Sequence, residues 1–172
     1  MIMTPSLIVR DAGPDDVPVI VELIQELAKF ENLSSAISTD EKRLREHGFG
    51  PHPRFKVLLA EDAGGVVGYL SYMVRYSIWS GGEFINLDDL YVREHARGLG
   101  AGQALMRRLA EVAAAQAMTV RWELLVDNLP ARKFYTRLGA TISEKLIARW
   151  SVEAARTLAD EHPVHTSRIA EV

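Results

Sequence analysis

A chain of 172 residues, 48% hydrophobic and 25% charged, is long enough to bury a core of its own and too apolar to remain disordered. The complete lack of cysteine excludes disulfides, thiolate metal sites and a cysteine nucleophile. A formal charge of −3 argues against nucleic acid as the main partner and suits a positively charged small molecule better.

Met1 to Arg10 has no basic start followed by an apolar stretch, so no secretory signal is read there. Apolar runs such as Val17 to Ile24 are broken by Pro18 and Glu22 and are too short to span a bilayer; the expectation is a cytoplasmic protein without a membrane partner. Leu7 to Arg10 predicts a first strand. Gly13-Pro14-Asp15-Asp16 opens a helix, because proline is favoured at the first helical position and acids suit the positive end of the helix dipole. Val17, Ile20, Val21, Ile24, Leu27 and Ala28 then recur at helical spacing through about Lys29. Ser38-Thr39-Asp40-Glu41 resembles a capping box and predicts a short second helix that Gly48 ends.

Phe55 to Glu61 and Val66 to Arg75 are β-rich runs separated by Asp62-Ala63-Gly64-Gly65, which predicts a hairpin. Gly81-Gly82 precedes a fourth strand, Phe84 to about Val92. After Arg97-Gly98-Leu99-Gly100-Ala101-Gly102 comes a helix with Ala104, Leu105, Leu109, Val112 and Ala113 on one face. Thr119 to Val126 is the fifth predicted strand, and Pro130 to Leu138 a short helix capped by Gly139. Ala140 to Trp150 is expected to supply one or two last strands and Ser151 to Ala159 a terminal helix, with a loose tail from His162. This order predicts a mixed α/β single domain spanning residues 1–172, not a regular doubly wound one.

The glycine turn after the fourth strand carries the first chemical signal. A helix start leaves backbone N–H groups unpaired and partly positive, and glycines let an anion approach closely, so the turn suits phosphate, with Arg97 as an added donor. A turn without ligand is the plain reading. A dinucleotide fingerprint fails: after Gly100-Ala101-Gly102 the next required position is Leu105, although Glu123 falls near where a ribose-binding acid would stand. A P-loop fails for want of a Gly-Lys-Ser/Thr ending.

Arg97, Gly100 and Gly102 form Arg-x-x-Gly-x-Gly, which resembles the pyrophosphate motif of the GNAT superfamily of N-acetyltransferases, where it follows the fourth strand and opens the third helix. The order of elements matches that family over nearly the whole chain. Asn128-Leu129-Pro130-Ala131-Arg132-Lys133-Phe134-Tyr135 resembles its Asn-x-x-Ala-x-x-Phe-Tyr segment, and Gly139-Ala140 its usual exit. Glu26 to Glu31, His47 to Pro53, Tyr76 to Gly81 and Leu87-Asp88-Asp89-Leu90-Tyr91-Val92 are similar to segments of the diamine (spermidine/spermine) acetyltransferases. Two positions depart from that subfamily: Asp88 stands where Glu is usual, and Ile147-Ala148-Arg149 precedes Trp150 where acids are usual.

The resemblance implies a central, mostly antiparallel twisted sheet splayed between strands 4 and 5, with a β-bulge there and helices on both faces. It implies acetyl-CoA as cosubstrate, no metal, and a homodimer. Its pyrophosphate would meet Arg97, Gly98, Leu99, Gly100, Ala101, Gly102 and Gln103. The pantetheine arm would meet Leu90, Tyr91 and Val92, and Asn128, Pro130 and Ala131 are implied as further cofactor-binding residues. Asp88 is implied as base, Tyr135 as acid for the leaving thiolate, and Phe30, Glu31, Asp88 and Asp89 as amine-binding residues. A substrate ammonium must lose a proton before it attacks a thioester, and a carboxylate can take it directly or through water. Strict alternation puts Asp88 and Asp89 on opposite faces of the strand, which a bulge would change. Without cysteine or a Gly-x-Ser-x-Gly elbow, direct attack without an acyl-enzyme is expected.

Phe134 is expected in the core, with Tyr135 the functional member of the pair. His162 and His165 lack a third ligand, Asn32-Leu33-Ser34 fits a glycosylation pattern in a chain with no secretory signal, and Tyr72, Tyr76 and Trp79 have no basic run beside them for a nucleic-acid role. The expected substrate is a polyamine, diamine or thialysine-like amine. A protein or aminoglycoside amine, or a non-catalytic acetyl-CoA sensor, are the alternatives.

Overall fold

The computed structural model describes residues 7–161; the His162–His165 segment and the expected loose tail lie outside the described residues. Two compact units form, one ending at Leu125 and one beginning at Val126.

The first unit is built on a five-stranded sheet in sequence order. Its strands are β1 (Ile8–Asp11), β2 (Lys56–Asp62), β3 (Gly65–Ser77), β4 (Gly82–Val92) and β5 (Thr119–Arg121). β1 through β4 pair antiparallel, and β5 joins β4 in parallel. Two helices, α1 (Val17–Phe30) and α2 (Glu41–Phe49), cover one face, where Val17, Ile20, Leu23 and Leu44 meet Val57, Leu59, Tyr69 and Tyr91. A third, α3 (Ala101–Ala115), covers the other face. There Ala101, Leu105, Leu109 and Ala113 meet Leu58, Leu70, Tyr72, Ile85 and Leu87. Burying a full leucine side chain contributes about 2 kcal/mol, so these helices are held chiefly by their apolar stripes.

The helix entrances follow the sequence closely. Pro14–Asp16 forms a single 3-10 turn before α1, and Asp16 closes it by accepting from the Gly13 N–H at 2.7 Å. Asp16 also pairs with Arg10 at 2.7 Å, and Arg10 reaches Glu61 at 2.6 Å, tying β1, β2 and the α1 entrance together. Asp40 caps α2 by accepting from the Arg43 N–H at 2.8 Å.

Gly48, expected to stop α2, lies inside it. A Cβ there would stand 2.6 Å from Cζ of Phe55, so packing against that ring is what the position requires. β5 is shorter than expected. It pairs with β4 only from Phe84 to Asn86, opposite Thr119 to Arg121. Beyond Asn86, the edge of β4 that faces away from β3 has no strand partner among the described residues, which is the splay that the family resemblance implies.

The second unit contains α4 (Leu129–Arg137) and α5 (Val152–Glu161). Asn128 caps α4 by accepting from the Ala131 N–H at 3.1 Å, and Gly139 follows the helix with φ +88. Ser151 caps α5 by accepting from the Ala154 N–H at 3.1 Å. The expected strands within residues 140–150 do not form. Strand propensity measures how a side chain fits a paired, half-buried surface, and without a ladder partner it fixes nothing. Leu146 and Trp150 of this stretch are fully and largely exposed, respectively.

Candidate active site

The decisive feature of β4 is an irregularity in its pairing. Asp89 stands opposite Ser71 and Leu87 opposite Tyr72, so Asp88 is an extra residue with no counterpart on β3. Ile85, Leu87 and Leu90 all face the α3 side. Only one residue separates Ile85 from Leu87, but two separate Leu87 from Leu90. Asp88 and Asp89 therefore share the opposite face, together with Asn86. Strict alternation is overturned here by the bulge, whose added residue resets the two-residue period.

Each acid is held by one neutral donor. The Asn86 side-chain amide donates to Oδ1 of Asp88 at 2.6 Å, and the Ser71 hydroxyl donates to Oδ2 of Asp89 at 3.0 Å. Asp88 keeps solvent access, yet the protein around it and the negative Asp89 push its carboxyl above the usual range, while Asn86 and Arg75 oppose the rise. Half-buried Asp89 is pushed up by burial, against the stabilising Ser71 and Tyr69 hydroxyls. A carboxylate raised in this way is better matched to accepting a proton near neutrality.

Behind the pair lies Tyr69, whose hydroxyl is buried; Asp89 stands beside it without completing a bond of ordinary geometry. Burial first, then the charges of Asp89 and Glu31, keep this phenol protonated far above its ordinary range. Glu31, just past the end of α1, is thus brought to the same neighbourhood as Asp89. Phe30 turns elsewhere: the Arg97 guanidinium lies over its ring at 4.4 Å and over the Tyr91 ring at 5.6 Å. Arg97 also donates from Nε to the Val92 carbonyl at 2.9 Å. The end of α1, the end of β4 and the glycine turn are joined through this one side chain.

The turn itself is shaped by glycine. Gly98 and Gly100 have φ of +77 and +96, conformations that other residues adopt only with strain, and nothing lies within 4 Å of where a Cβ would be. The turn leads directly into α3, whose first N–H groups have no intrahelical acceptor. An open, left-handed glycine turn at the start of a long helix fits a pyrophosphate, so the residues present suit the phosphates of a coenzyme.

This combination of bulged acids, splayed strand and glycine turn agrees with what comparison with known proteins finds. Residues 21–140 match the model of the acetyltransferase (GNAT) family. The chain belongs to this family. It is an enzyme of the GNAT N-acyltransferase type. It is 38% identical over 164 residues to the thialysine N-epsilon-acetyltransferase of Mus musculus, a match covering 88% of this chain and 96% of the relative. It is 33% identical over 140 residues to the human spermidine/spermine N(1)-acetyltransferase-like protein 1, covering 77% of this chain and 20% of that larger protein. In fold it is similar to an integron cassette protein from the mobile metagenome of V. cholerae. The TM-score is 0.73 at 24% identity, over 90% of this chain and 98% of the other. An aminoglycoside acetyltransferase from an uncultured soil sample gives 0.72 at 18%, over 85% and 95%.

In the second unit of this GNAT enzyme, Tyr135 is buried, and Phe134, expected in the core, is only half-buried. Their rings meet edge to face at 5.1 Å. Burial holds the Tyr135 phenol above its ordinary range, so its proton is present throughout the physiological pH range. Asn128 and Ala131, expected at the cofactor, are bonded to each other as the cap of α4, with Pro130 in its first turn. Among the described residues, no group of three or more His, Asp or Glu could hold a metal ion, and no helix is long and apolar enough to cross a membrane.

Sequence reading missed Asn86, Ser71, Tyr69 and Arg75. The signal for them is slight: a polar Asn86 interrupts apolar neighbours two residues before Asp88. Ser71 can be assigned to Asp89 only from the strand register.

Proposed function

We propose that this enzyme transfers the acetyl group of acetyl-CoA to the primary amine of a small cationic substrate by direct attack. The observation that carries the reading is the bulge, which places Asp88 and Asp89 on one face of β4, beyond the point where its pairing with β5 ends. Oδ2 of Asp88 accepts a proton from the ammonium, directly or through water, while Asp89 and Glu31 supply negative charge that holds the amine. The amine lone pair attacks the thioester carbonyl carbon. A main-chain N–H among Leu90 to Val92 stabilises the developing oxyanion, the C–N bond forms and the C–S bond breaks. Tyr135 gives its phenolic proton to the departing thiolate sulfur; the new amide nitrogen sheds its surplus proton to water, and Tyr135 is reprotonated from solvent.

In this reading the backbone of Gly98 to Gln103 and Arg97 hold the pyrophosphate, the end of β4 binds the pantetheine arm, and Asn128, Pro130 and Ala131 are further cofactor-binding residues. Phe30, which the resemblance implies for the amine, lies under the Arg97 guanidinium at 4.4 Å and in this reading supports the pyrophosphate side instead. The reaction is assigned to the cytoplasm and, as the resemblance implies, to a homodimer, with no metal, nucleic acid or membrane required.

Arg75 favours a thialysine-like amino acid over a polyamine. It acts electrostatically on Asp88, so a long polycation laid along this face would meet positive charge, whereas a substrate carboxylate would be attracted. The similarity to thialysine acetyltransferases points the same way.

The test is release of coenzyme A thiol from acetyl-CoA with thialysine, lysine, spermidine, spermine, putrescine and an aminoglycoside. Selective turnover of thialysine is expected. A preference for spermidine or spermine would overturn the reading of Arg75. No turnover with any small amine, despite tight acetyl-CoA binding, would favour a macromolecular amine or a sensor.

A further inference from the structure

A base carried on a bulge poses a mechanical problem. The extra residue has no partner on β3, and beyond Asn86 the other edge of β4 has no strand either among the described residues, so the backbone at Asp88 lacks ladder pairing on both sides. Aspartate is also a short side chain, with little reach to correct a misplaced backbone. Something else must set the position of its carboxylate.

Asn86 is placed to do so. It is the last residue of β4 held on both sides, opposite Met73 of β3 and Arg121 of β5. It therefore sits at the fork where β5 leaves the sheet, on the firm side. Its side chain shares a face with Asp88 and donates to Oδ1 at 2.6 Å, a short bond of the charge-assisted kind. Oδ2 is left to face the amine. We infer that Asn86 is a positioning residue, an amide clamp that carries the rigidity of the three-strand region across the fork to the carboxylate of Asp88. This inference rests on Asp88 being the base.

The charged and polar groups acting on Asp88 are Asp89 on β4, Arg75 on β3 and Asn86 itself. An amide that donates to a carboxylate favours the ionised form. Removing it raises the carboxyl pKa, because burial and Asp89 are then opposed by Arg75 alone.

The test uses the full chain and needs no substrate for its first arm. The Asp88 carboxyl carbon is titrated by NMR in the wild type, Asn86→Leu and Asn86→Asp. Asn86→Leu is expected to move the midpoint up by about one pH unit. Asn86→Asp, which keeps the shape and sets carboxylate against carboxylate, is expected to move it further. Should the leucine variant fail to fold, the aspartate variant carries the measurement alone. In the second arm, kcat/KM for the best amine of the panel at pH 7 falls about ten-fold in Asn86→Leu, and its acid limb moves up with the carboxyl. The acetyl-CoA KM stays level, and Asn86→Gln recovers part of the loss. An unmoved Asp88 midpoint, or a pH–rate profile superimposable on the wild type, overturns the inference. Asp88→Asn separates the two failures. If it is inactive while Asn86→Leu is unaltered, only the clamp is wrong; if it is fully active, the base assignment has failed and the clamp with it.

Discussion

Gly68 offers a test of how tightly the end of β4 is held. It pairs with Ala60 on one side and Val92 on the other, so neither neighbour is free to swing away. A methyl built there would stand 2.6 Å from the Tyr91 carbonyl oxygen and 3.2 Å from Val92 Cα. Restoring an ordinary contact of 3.4 Å requires β3 and β4 to part by about 0.8 Å, against backbone rather than a mobile side-chain tip. Overpacking of this kind costs about 1–3 kcal/mol, offset by roughly 0.5 kcal/mol from the reduced freedom of the unfolded chain. At about 2–4 °C per kcal/mol for a chain of this size, Gly68→Ala should melt about 1 to 10 °C below the wild type. Gly82→Ala is the control, since nothing lies within 4 Å of its Cβ position and its φ is not positive. It should be neutral or slightly stabilising. Thermal melts followed by circular dichroism give the comparison. Because the displaced atoms belong to Tyr91 and Val92, Gly68→Ala should also raise the acetyl-CoA KM while leaving the amine KM near its wild-type value. Equal melting of Gly68→Ala and the wild type would refute the argument from contact distance. Lost stability with an unchanged acetyl-CoA KM would refute the placement of the pantetheine arm.

Tyr135→Phe keeps the ring and removes the proton, so kcat should fall about 100-fold or more with coenzyme A affinity little changed. Unaltered turnover across the pH range would remove Tyr135 from the mechanism. Asp16 tests the electrostatics of the α1 entrance. Its carboxyl is held below the ordinary range by Arg10 first and by the Gly13 N–H, so its contribution to stability is present above the unfolded-state pKa and fades as pH falls through the lowered folded-state value. Asp16→Asn should cost about 1 kcal/mol at neutral pH, a figure kept small because Arg10 is partly exposed. The difference in melting temperature from the wild type should close as the pH falls through the acidic range. A gap that stays constant to low pH would show that the carboxylate charge contributes nothing.

Local chemistry by itself settles most of the elements. The proline and acids at Pro14–Asp16, the spacing of Val17, Ile20 and Leu27, the turn at Asp62–Gly65 and the glycines at 98 and 100 act through sterics and unpaired backbone groups that each segment carries with it. Hence the helices, the hairpin and the left-handed glycine turn are legible in the sequence. The residues proposed for the site, Asp88, Asp89, Tyr135 and the Arg97 turn, come from the sequence through resemblance and residue type. What tertiary structure decides is everything that depends on a partner strand. β5 stops at Arg121, residues 140–150 form no strand, and Gly48 lies within α2 because Phe55 covers it. The two acids share a face because β3 and β4 slip by one residue between Ser71 and Tyr72. Register is a relation between distant segments, and neither Asp88 nor Asn86 carries a local signal of which neighbour it will meet. The clamp that joins them exists only once β4 is bulged and β5 has left its side.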